Sequence, residues 1–388
     1  MGARDIMELS ELLARRALPQ GPSSPLASTN WHRFSPQDVR GAFDILVEHR
    51  LHLLVFARLT EEEKRHHLPR ELDEELSSTL RKTSNHQGLL EMAFAQVTHA
   101  LHARGLPPIA CKGIVLAREY YRPKGVRPMQ DIDLWVPHAA IAQVREALQS
   151  VGFKERPDKE TNHALYFENQ WGLLLDVHHH MALFERQGLD PFELTVAPQS
   201  GWHRVFRPEA LLIHLVYHLL GHTSQVGILL GWVLDISVVL NKHDIDWAET
   251  RRLCPSPRVW KILMRLIALA DDLGWSPIPA ALEPELEGVV KVRFATLVRL
   301  RHLAPLGLTR PRGWARLVKR LGVKGLGVKG LGLKGLGLKG LDGSDAVGPP
   351  IPALSELPLG LKELFVEGTR FGRADCALLT GEESNRHS

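Results

Sequence analysis

The sequence predicts an α+β fold in which a small β-sheet lies between N-terminal and C-terminal helical domains. Three patterns indicate this arrangement. Apolar residues recur at helical spacing from residue 35, where Ser35 and Pro36 suit a helix start, to residue 104. Short alternating or continuous apolar segments, typical of strands, follow between residues 106 and 178. Helical spacing then returns from residue 208 and continues to residue 300.

Composition and helix-ending residues divide the chain into six parts. We predict a helix and a Pro/Ser-rich linker over 1–30, a helical subdomain over 31–105, the sheet-bearing core over 106–200 and a helical C-terminal domain over 201–305. Four tandem pentads occupy 321–340, within a Gly/Lys-rich segment over 306–348 that we interpret as a flexible linker. A lysine-bearing tether for anionic lipid or nucleic acid is the alternative. Residues 349–388 form a tail.

Composition and charge indicate the class of protein. Hydrophobic residues make up 44% and charged residues 24% of the 388, which is ordinary for a soluble globular protein. A net charge of +4 suits phosphate-bearing ligands but is too small to predict a nucleic-acid partner. The three cysteines are widely spaced, and the N-terminus lacks the apolar core of a signal peptide. We therefore expect a cytoplasmic protein. Charged and histidine residues interrupt the apolar stretch at 208–240, so we predict no membrane span.

The pair Asp131 and Asp133, separated by Ile132, is the central feature of the sequence. Apolar residues around the pair predict a strand, on which both carboxylates project from one face about 6.6–7 Å apart. Carboxylates this close repel each other, and a divalent cation between them removes the repulsion. Mg²⁺ takes one or two carboxylates together with phosphate oxygens. The pair therefore predicts a site for Mg²⁺ and a nucleotide, and the alternative is the polar face of an edge strand.

Residues on both sides of this pair fit the same chemistry. Lys112 and Gly113 stand between a predicted short strand and a helix, where the backbone can approach a phosphate. Arg127 adds a cation before the carboxylates. Asp176 lies on a later predicted strand that can pair beside the first, and a third carboxylate is what two-metal phosphoryl chemistry needs. The alternative is an ordinary aspartate at a strand end. His178 would share its face with Asp176.

Histidine clusters raise the question of zinc. Adjacent histidines on a strand alternate faces, so His178, His179 and His180 cannot all bind one ion without a distortion of the strand. A second set, His214, His218 and His222, lies at helical spacing but lacks the glutamate of an H-E-x-x-H motif. We therefore predict no zinc site. The helical set is expected to line a groove near the phosphate site or to pack with its polar tips in water.

Residues 112–136 resemble the uncharacterised nucleotidyltransferase family of bacteria, within the polymerase-β-like superfamily. The resemblance extends to a later D-x-H segment at 176–178 and covers residues 30–280. The residues that match the family pattern in the first segment are Lys112, Gly113, Tyr121, Arg127, Asp131, Asp133, Leu134 and Val136.

This resemblance implies a nucleotidyltransferase core with a small mixed sheet at 106–200 and transfer of a nucleotidyl group from a nucleoside triphosphate to an acceptor hydroxyl. It implies Mg²⁺ as cofactor, with Mn²⁺ as the alternative ion. The acceptor is a small molecule, a peptide or a protein. The implied catalytic and metal-binding residues are Asp131, Asp133 and Asp176, with His178 as a further candidate. The implied nucleotide-binding residues are Lys112, Gly113 and Arg127.

Two other functions remain open. Ile114 follows Gly113 where the superfamily usually has Gly-Ser or Gly-Gly, which would suit a non-catalytic module that binds a nucleotide or a peptide. A toxin–antitoxin nucleotidyltransferase acting on RNA or protein is the other alternative. The chain lacks a run of interleaved aromatic and basic residues, which argues against RNA.

Overall fold

The α+β prediction is confirmed by the computed structural model, which describes residues 3–18, 31–157, 163–198, 201–226 and 228–287, together with 294 and 298. Over these residues the chain forms a mixed seven-stranded sheet with helices before, between and after the strands. The predicted linker at 20–30, the pentad repeats and the tail lie outside the described residues.

Five helices precede the sheet along the described chain: α1 (Ala3–Arg15), α2 (Pro36–Glu48), α3 (His52–Arg58), α4 (Glu61–His67) and α5 (Arg70–His102). Ser35 caps α2 as predicted, because its hydroxyl accepts from the backbone of Asp38 while the Asp38 carboxylate accepts from the backbone of Ser35. The long helix α5 is followed by Gly105, whose φ of 73° suits the left-handed turn that ends it.

Seven strands form the sheet in the order β3-β4-β5-β2-β1-β7-β6. Their bounds are β1 (Ile109–Ala110), β2 (Asp131–Trp135), β3 (Phe153–Glu155), β4 (Ala164–Asn169), β5 (Leu174–His178), β6 (Thr195–Val196) and β7 (Arg204–Phe206). The central strand β2 pairs in parallel with β5 and antiparallel with β1. The sheet is therefore mixed, as the resemblance implies.

One face of the central strands packs into a hydrophobic core, and the other face carries the aspartates. Three helices interleave with the strands: α6 (Lys112–Glu119), α7 (Ile141–Ser150) and α8 (Ala182–Glu185). Ile132 and Leu134 of β2, with Val177 of β5, pack into a core shared with α5, α6 and α7. Because side chains alternate along a strand, the intervening residues of β2 and β5 face the other side of the sheet. The residues on that other side are Asp131, Asp133, Trp135, Leu174, Asp176 and His178.

Helices of the C-terminal half share a second core with the N-terminal helices. These later helices are α9 (Pro208–Val226), α10 (Leu230–Lys242), α11 (Trp247–Leu253), α12 (Pro257–Asp272) and α13 (Glu283–Leu286). The long apolar stretch is thus two helices, α9 and α10, as predicted. No described helix combines the length and the apolar character needed to cross a membrane.

Some predicted elements differ in extent. The strand expected over 106–111 has only two residues, since Pro107 and Pro108 cannot donate to a ladder. The two short strands β6 and β7 are not predicted, because segments of two and three residues carry no periodic signal. The helix expected over 281–300 is described as far as Leu286, and most of the remainder lies outside the described residues.

Buried histidines are expected to make the fold sensitive to acid. His203 and His214 are only 6% and 8% exposed, and burial lowers their pKa values from the usual 6.5 to about 4 and about 3. The unfolded chain therefore binds protons at a higher pH than the folded chain, so stability is retained above pH 6.5 and falls as the pH decreases. At pH 4.5 we expect a loss of roughly 2–3 kcal/mol for each group.

Urea unfolding at pH 7 and at pH 4.5 measures this loss. In the His203→Phe variant the difference in unfolding free energy between the two pH values should be smaller by roughly 2–3 kcal/mol. The ring of His203 already packs edge-on against Phe94, which makes phenylalanine a conservative replacement. An identical pH dependence in both proteins would show that His203 is not held neutral by the fold.

Candidate active site

Three aspartates meet on one face of two adjacent strands. In the parallel pairing of β2 with β5, Asp133 lies directly beside Asp176, and Trp135 lies beside His178. Asp131 precedes Asp133 by two residues and faces the same side. Adjacent strands are about 4.8 Å apart, so the three carboxylates form one cluster. The structure therefore brings together all the acidic residues that the sequence indicates.

Asp133 is held by two nitrogen donors. The Lys112 ammonium donates to Asp133 Oδ1 at 3.1 Å, and the Nε2–H of His178 donates to the same oxygen at 3.0 Å. Burial alone would raise the pKa of Asp133, but the Lys112 charge and the His178 hydrogen bond outweigh burial and lower it. Asp133 is therefore an anion at neutral pH. The same Asp133 charge raises the pKa of Lys112 against the effect of burial.

Asp131 has the opposite shift. Burial, and then the charge of Asp133, raise the pKa of Asp131 above its usual value of 3.8. The two neighbouring carboxylates thus have pKa values shifted in opposite directions, because Lys112 and His178 stabilise the Asp133 anion, whereas burial and the Asp133 charge oppose ionisation of Asp131. A divalent cation removes this repulsion, and a carboxylate cluster is the donor set that Mg²⁺ prefers. The residues present fit such an ion.

Lys112 and Gly113 form the first turn of α6. The Cys111 N–H donates to the carbonyl oxygen of Asp133 at 3.0 Å, and this bond places Lys112 next to β2. Lys112 has a φ of 39°, in the left-handed region that disfavours residues other than glycine. A side chain held in this conformation at a charged cluster suggests a functional role for Lys112.

Packing within the protein does not require a glycine at position 113. A Cβ built there would meet Arg127 Nη1 at 3.4 Å and Met129 Sδ at 3.6 Å, which are ordinary van der Waals contacts. The predicted close approach of a phosphate to this glycine therefore stays a prediction. The space beside the backbone is bordered by a guanidinium group, which suits an anion.

Arg127 forms a buried ion pair with Asp235. Its Nε and Nη2 donate to the two oxygens of Asp235 on α10, both at 2.8 Å, and the Tyr121 hydroxyl donates to Asp235 Oδ1 at 2.8 Å. Arg127 Nη1 reaches the carbonyl oxygen of Gly113 at 3.4 Å. Arg127 thus joins α10 to the turn that begins α6.

A small pocket lies beside this ion pair. The Arg50 guanidinium stands 6.0 Å from the centre of the Trp232 ring at its wall. The lining residues are Arg50, Leu54, Tyr121, Val126, Arg127, Pro128, Gly231, Trp232, Leu234 and Asp235. Most of them lie on α3, on α10 or in the segment at 121–128 that leads to β2.

Helix α9 brings two histidines within electrostatic reach of the carboxylate cluster. Burial and then the charge of Lys112 lower the pKa values of His214 and His218, while Asp133 acts in the opposite direction. The ring of His218 also makes an edge-to-face contact with the ring of His222, at 4.6 Å between ring centres. The groove that these histidines are expected to line stays a prediction.

None of the curated proteins compared with the chain matches it. The solution structure of the antibiotic-resistance factor ANT(2'')-Ia is similar to 42% of this chain and 87% of that chain, at 16% sequence identity. Its TM-score is 0.32, which is too low to carry an argument.

The family comparison is more informative. A family model described as an uncharacterised nucleotidyltransferase matches residues 35–274 of the 388. The matched region begins at the cap of α2 and ends just after α12, so it includes the sheet and the helices on both sides of it. This match confirms the resemblance drawn from the D-x-D segment. The chain belongs to this family of nucleotidyltransferases and is a transferase enzyme.

Proposed function

We propose that the protein transfers a nucleotidyl group from a nucleoside triphosphate to a hydroxyl of its acceptor, with a divalent ion held by Asp131, Asp133 and Asp176. The observation that supports this best is the parallel register of β2 and β5, which places the three carboxylates on one face beside Lys112. Nucleotidyl transfer is the activity of the family, and the donor, the ion and the roles of these residues are the proposal.

The proposed ion is Mg²⁺, with Mn²⁺ as the alternative. Asp133 would bind it as an anion, and the ion would offset the Asp133 charge, which together with burial raises the pKa of Asp131. When bound, a divalent ion in such a site neutralises charge on the phosphates and polarises the oxygens that react.

The protein's own groups are assigned to the remaining steps. Lys112 would exchange its contact with Asp133 for a phosphate oxygen, since a flexible ammonium group can serve either anion. Asp176, beside Asp133 on β5, would accept the proton of the acceptor hydroxyl. Arg127, fixed by Asp235 and directed at Gly113, would stabilise the negative charge that develops on pyrophosphate.

Calorimetric titration of ATP, GTP, CTP and UTP tests the donor and the ion. Each nucleotide is added to the purified full-length protein with Mg²⁺, and then with excess EDTA. We expect at least one nucleotide to bind with Mg²⁺, and its affinity to fall by about tenfold or more in EDTA, because the phosphates then face uncompensated carboxylates. Equal affinity in both conditions would contradict the proposed metal site.

Two other outcomes would identify the alternative functions. Magnesium-dependent binding without turnover of any triphosphate would favour a binding module, for which the Gly113-Ile114 sequence is the supporting observation. Growth arrest on expression, relieved by loss of the carboxylates, would favour a toxin-type nucleotidyltransferase.

A further inference from the structure

A second group of ligand-type side chains lies beyond the ends of β2 and β5. His138 opens the 3-10 turn (His138–Ala140) that follows β2, and His179 and His180 come directly after β5. Because the two strands are parallel, their C-terminal ends meet at the same edge of the sheet. One ligand nitrogen from each of the three histidines lies within 4.8 Å of the others.

The spacing of these nitrogens is close to that of a metal site. His138 Nδ1 and His179 Nδ1 are 3.1 Å apart. Two nitrogens bound to one tetrahedral zinc ion at 2.0–2.1 Å are roughly 3.3 Å apart. The widest separation in the group, 4.8 Å, would have to shorten by about 1.5 Å. His138 and His180 are exposed, so rotation of their side chains can supply this movement.

The chemistry of the group also favours a cation. The two Nδ1 atoms that face each other at 3.1 Å can share only one proton between them. Neutral imidazoles with available lone pairs are ligands for Zn²⁺ and related ions, and poor ligands for Mg²⁺.

A carboxylate supports one of the rings. Glu185 Oε2 lies 3.4 Å from His180 Nδ1, and Glu185 Oε1 accepts from the Met181 N–H at 2.8 Å. A carboxylate that accepts from one nitrogen of an imidazole fixes the ring and leaves the other nitrogen for a metal. This is a common arrangement around zinc-bound histidines.

We propose that His138, His179 and His180 bind a Zn²⁺ ion at a site separate from the carboxylate cluster. The expectation of no zinc site assumed that three consecutive histidines alternate along a strand. The strand β5 ends at His178, so His179 and His180 are not bound by that alternation, and the third ligand comes from the turn after β2. The ion would tie the ends of the two central strands together.

The test uses full-length protein without an affinity tag, treated with EDTA and then desalted. Zn²⁺ is titrated in the presence of millimolar Mg²⁺, and Co²⁺ is added separately because its visible absorption reports nitrogen ligation. We expect one tightly bound Zn²⁺ per chain, and His138→Ala and His180→Ala should each weaken binding by about tenfold or more. Both side chains are exposed, so these variants should fold, as circular dichroism can verify.

Two comparisons make the result specific. His86→Ala removes a histidine on α5 outside the group and should leave Zn²⁺ affinity unchanged. Asp131→Asn with Asp133→Asn should also leave it unchanged, because the proposed site uses neither carboxylate. Zn²⁺ affinity that is equal in wild type, His138→Ala and His180→Ala would overturn the proposal. Loss of Zn²⁺ in the Asp131/Asp133 variant would assign the ion to the carboxylate cluster and would equally overturn it.

Discussion

Replacing both Asp131 and Asp133 by asparagine is expected to abolish magnesium-dependent nucleotide binding. The change removes both charges of the D-x-D pair, while the new carboxamide oxygen at position 133 can still accept from Lys112 and His178, as Asp133 Oδ1 does. Loss of one partner from a buried charged contact costs about 2–5 kcal/mol, so the affinity should fall on the order of 100-fold or more. Calorimetric titration with Mg²⁺ and the preferred nucleotide measures the change.

This variant should still fold, because asparagine has nearly the shape of aspartate and can accept from Lys112, but its stability should be lower since Lys112 loses its counter-charge. Asp244→Asn provides the matched control, since it makes the same chemical change at an exposed position. Its nucleotide affinity should equal that of the wild type. Unchanged affinity in the Asp131/Asp133 variant, with the protein folded, would mean that the nucleotide binds elsewhere.

Asp235→Ala is expected to cause the largest loss of stability. The Asp235 side chain is only 4% exposed and accepts from both Arg127 and Tyr121. Removing it leaves a buried guanidinium without its counter-charge, which typically costs about 3–5 kcal/mol. We therefore expect the free energy of unfolding in urea to fall by about this amount. A variant as stable as the wild type would show that water readily reaches Arg127.

An apolar replacement of the whole network separates stability from function. Arg127→Met, Tyr121→Phe and Asp235→Leu together remove the charges and the hydroxyl, so neither Arg127 nor Asp235 is left as an unpaired buried charge, and the Gly113 carbonyl loses only its 3.4 Å contact with Arg127. Such replacements are often neutral for stability, and the triple variant should recover most of the loss seen with Asp235→Ala. If Arg127 also acts on the triphosphate, this variant will be folded but will transfer the nucleotide more slowly than the wild type. Full activity would assign Arg127 a purely structural role.

Local patterns predict the acidic face of the sheet well. Asp131 and Asp133 need only the period-2 geometry of a strand to share a face. Asp176 needs in addition that β5 pairs beside β2, which the resemblance to the family pattern suggested and the register confirms. The existence of the main helices and their buried faces follow from apolar periodicity in the same way.

Contacts between distant segments could not be predicted. Arg127 and Asp235 are 108 residues apart, and no periodic pattern connects a loop cation to an acid within an apolar helix. His138 meets His179 across 41 residues, and this contact depends on where β5 ends. Strand ends are set by competition among neighbouring strands for hydrogen bonds, and a single sequence locates them poorly.

The most direct test of nucleotidyl transfer follows the α-phosphate and the γ-phosphate of the nucleotide separately. The protein is incubated with Mg²⁺ and the preferred nucleotide, labelled either at the α-phosphate or at the γ-phosphate, together with fractionated cell extract as a source of acceptor. Nucleotidyl transfer predicts that the α-label enters a product while the γ-label leaves in pyrophosphate, and that the Asp131/Asp133 variant gives neither. Transfer of the γ-label to a product would mean phosphoryl transfer and would contradict the account.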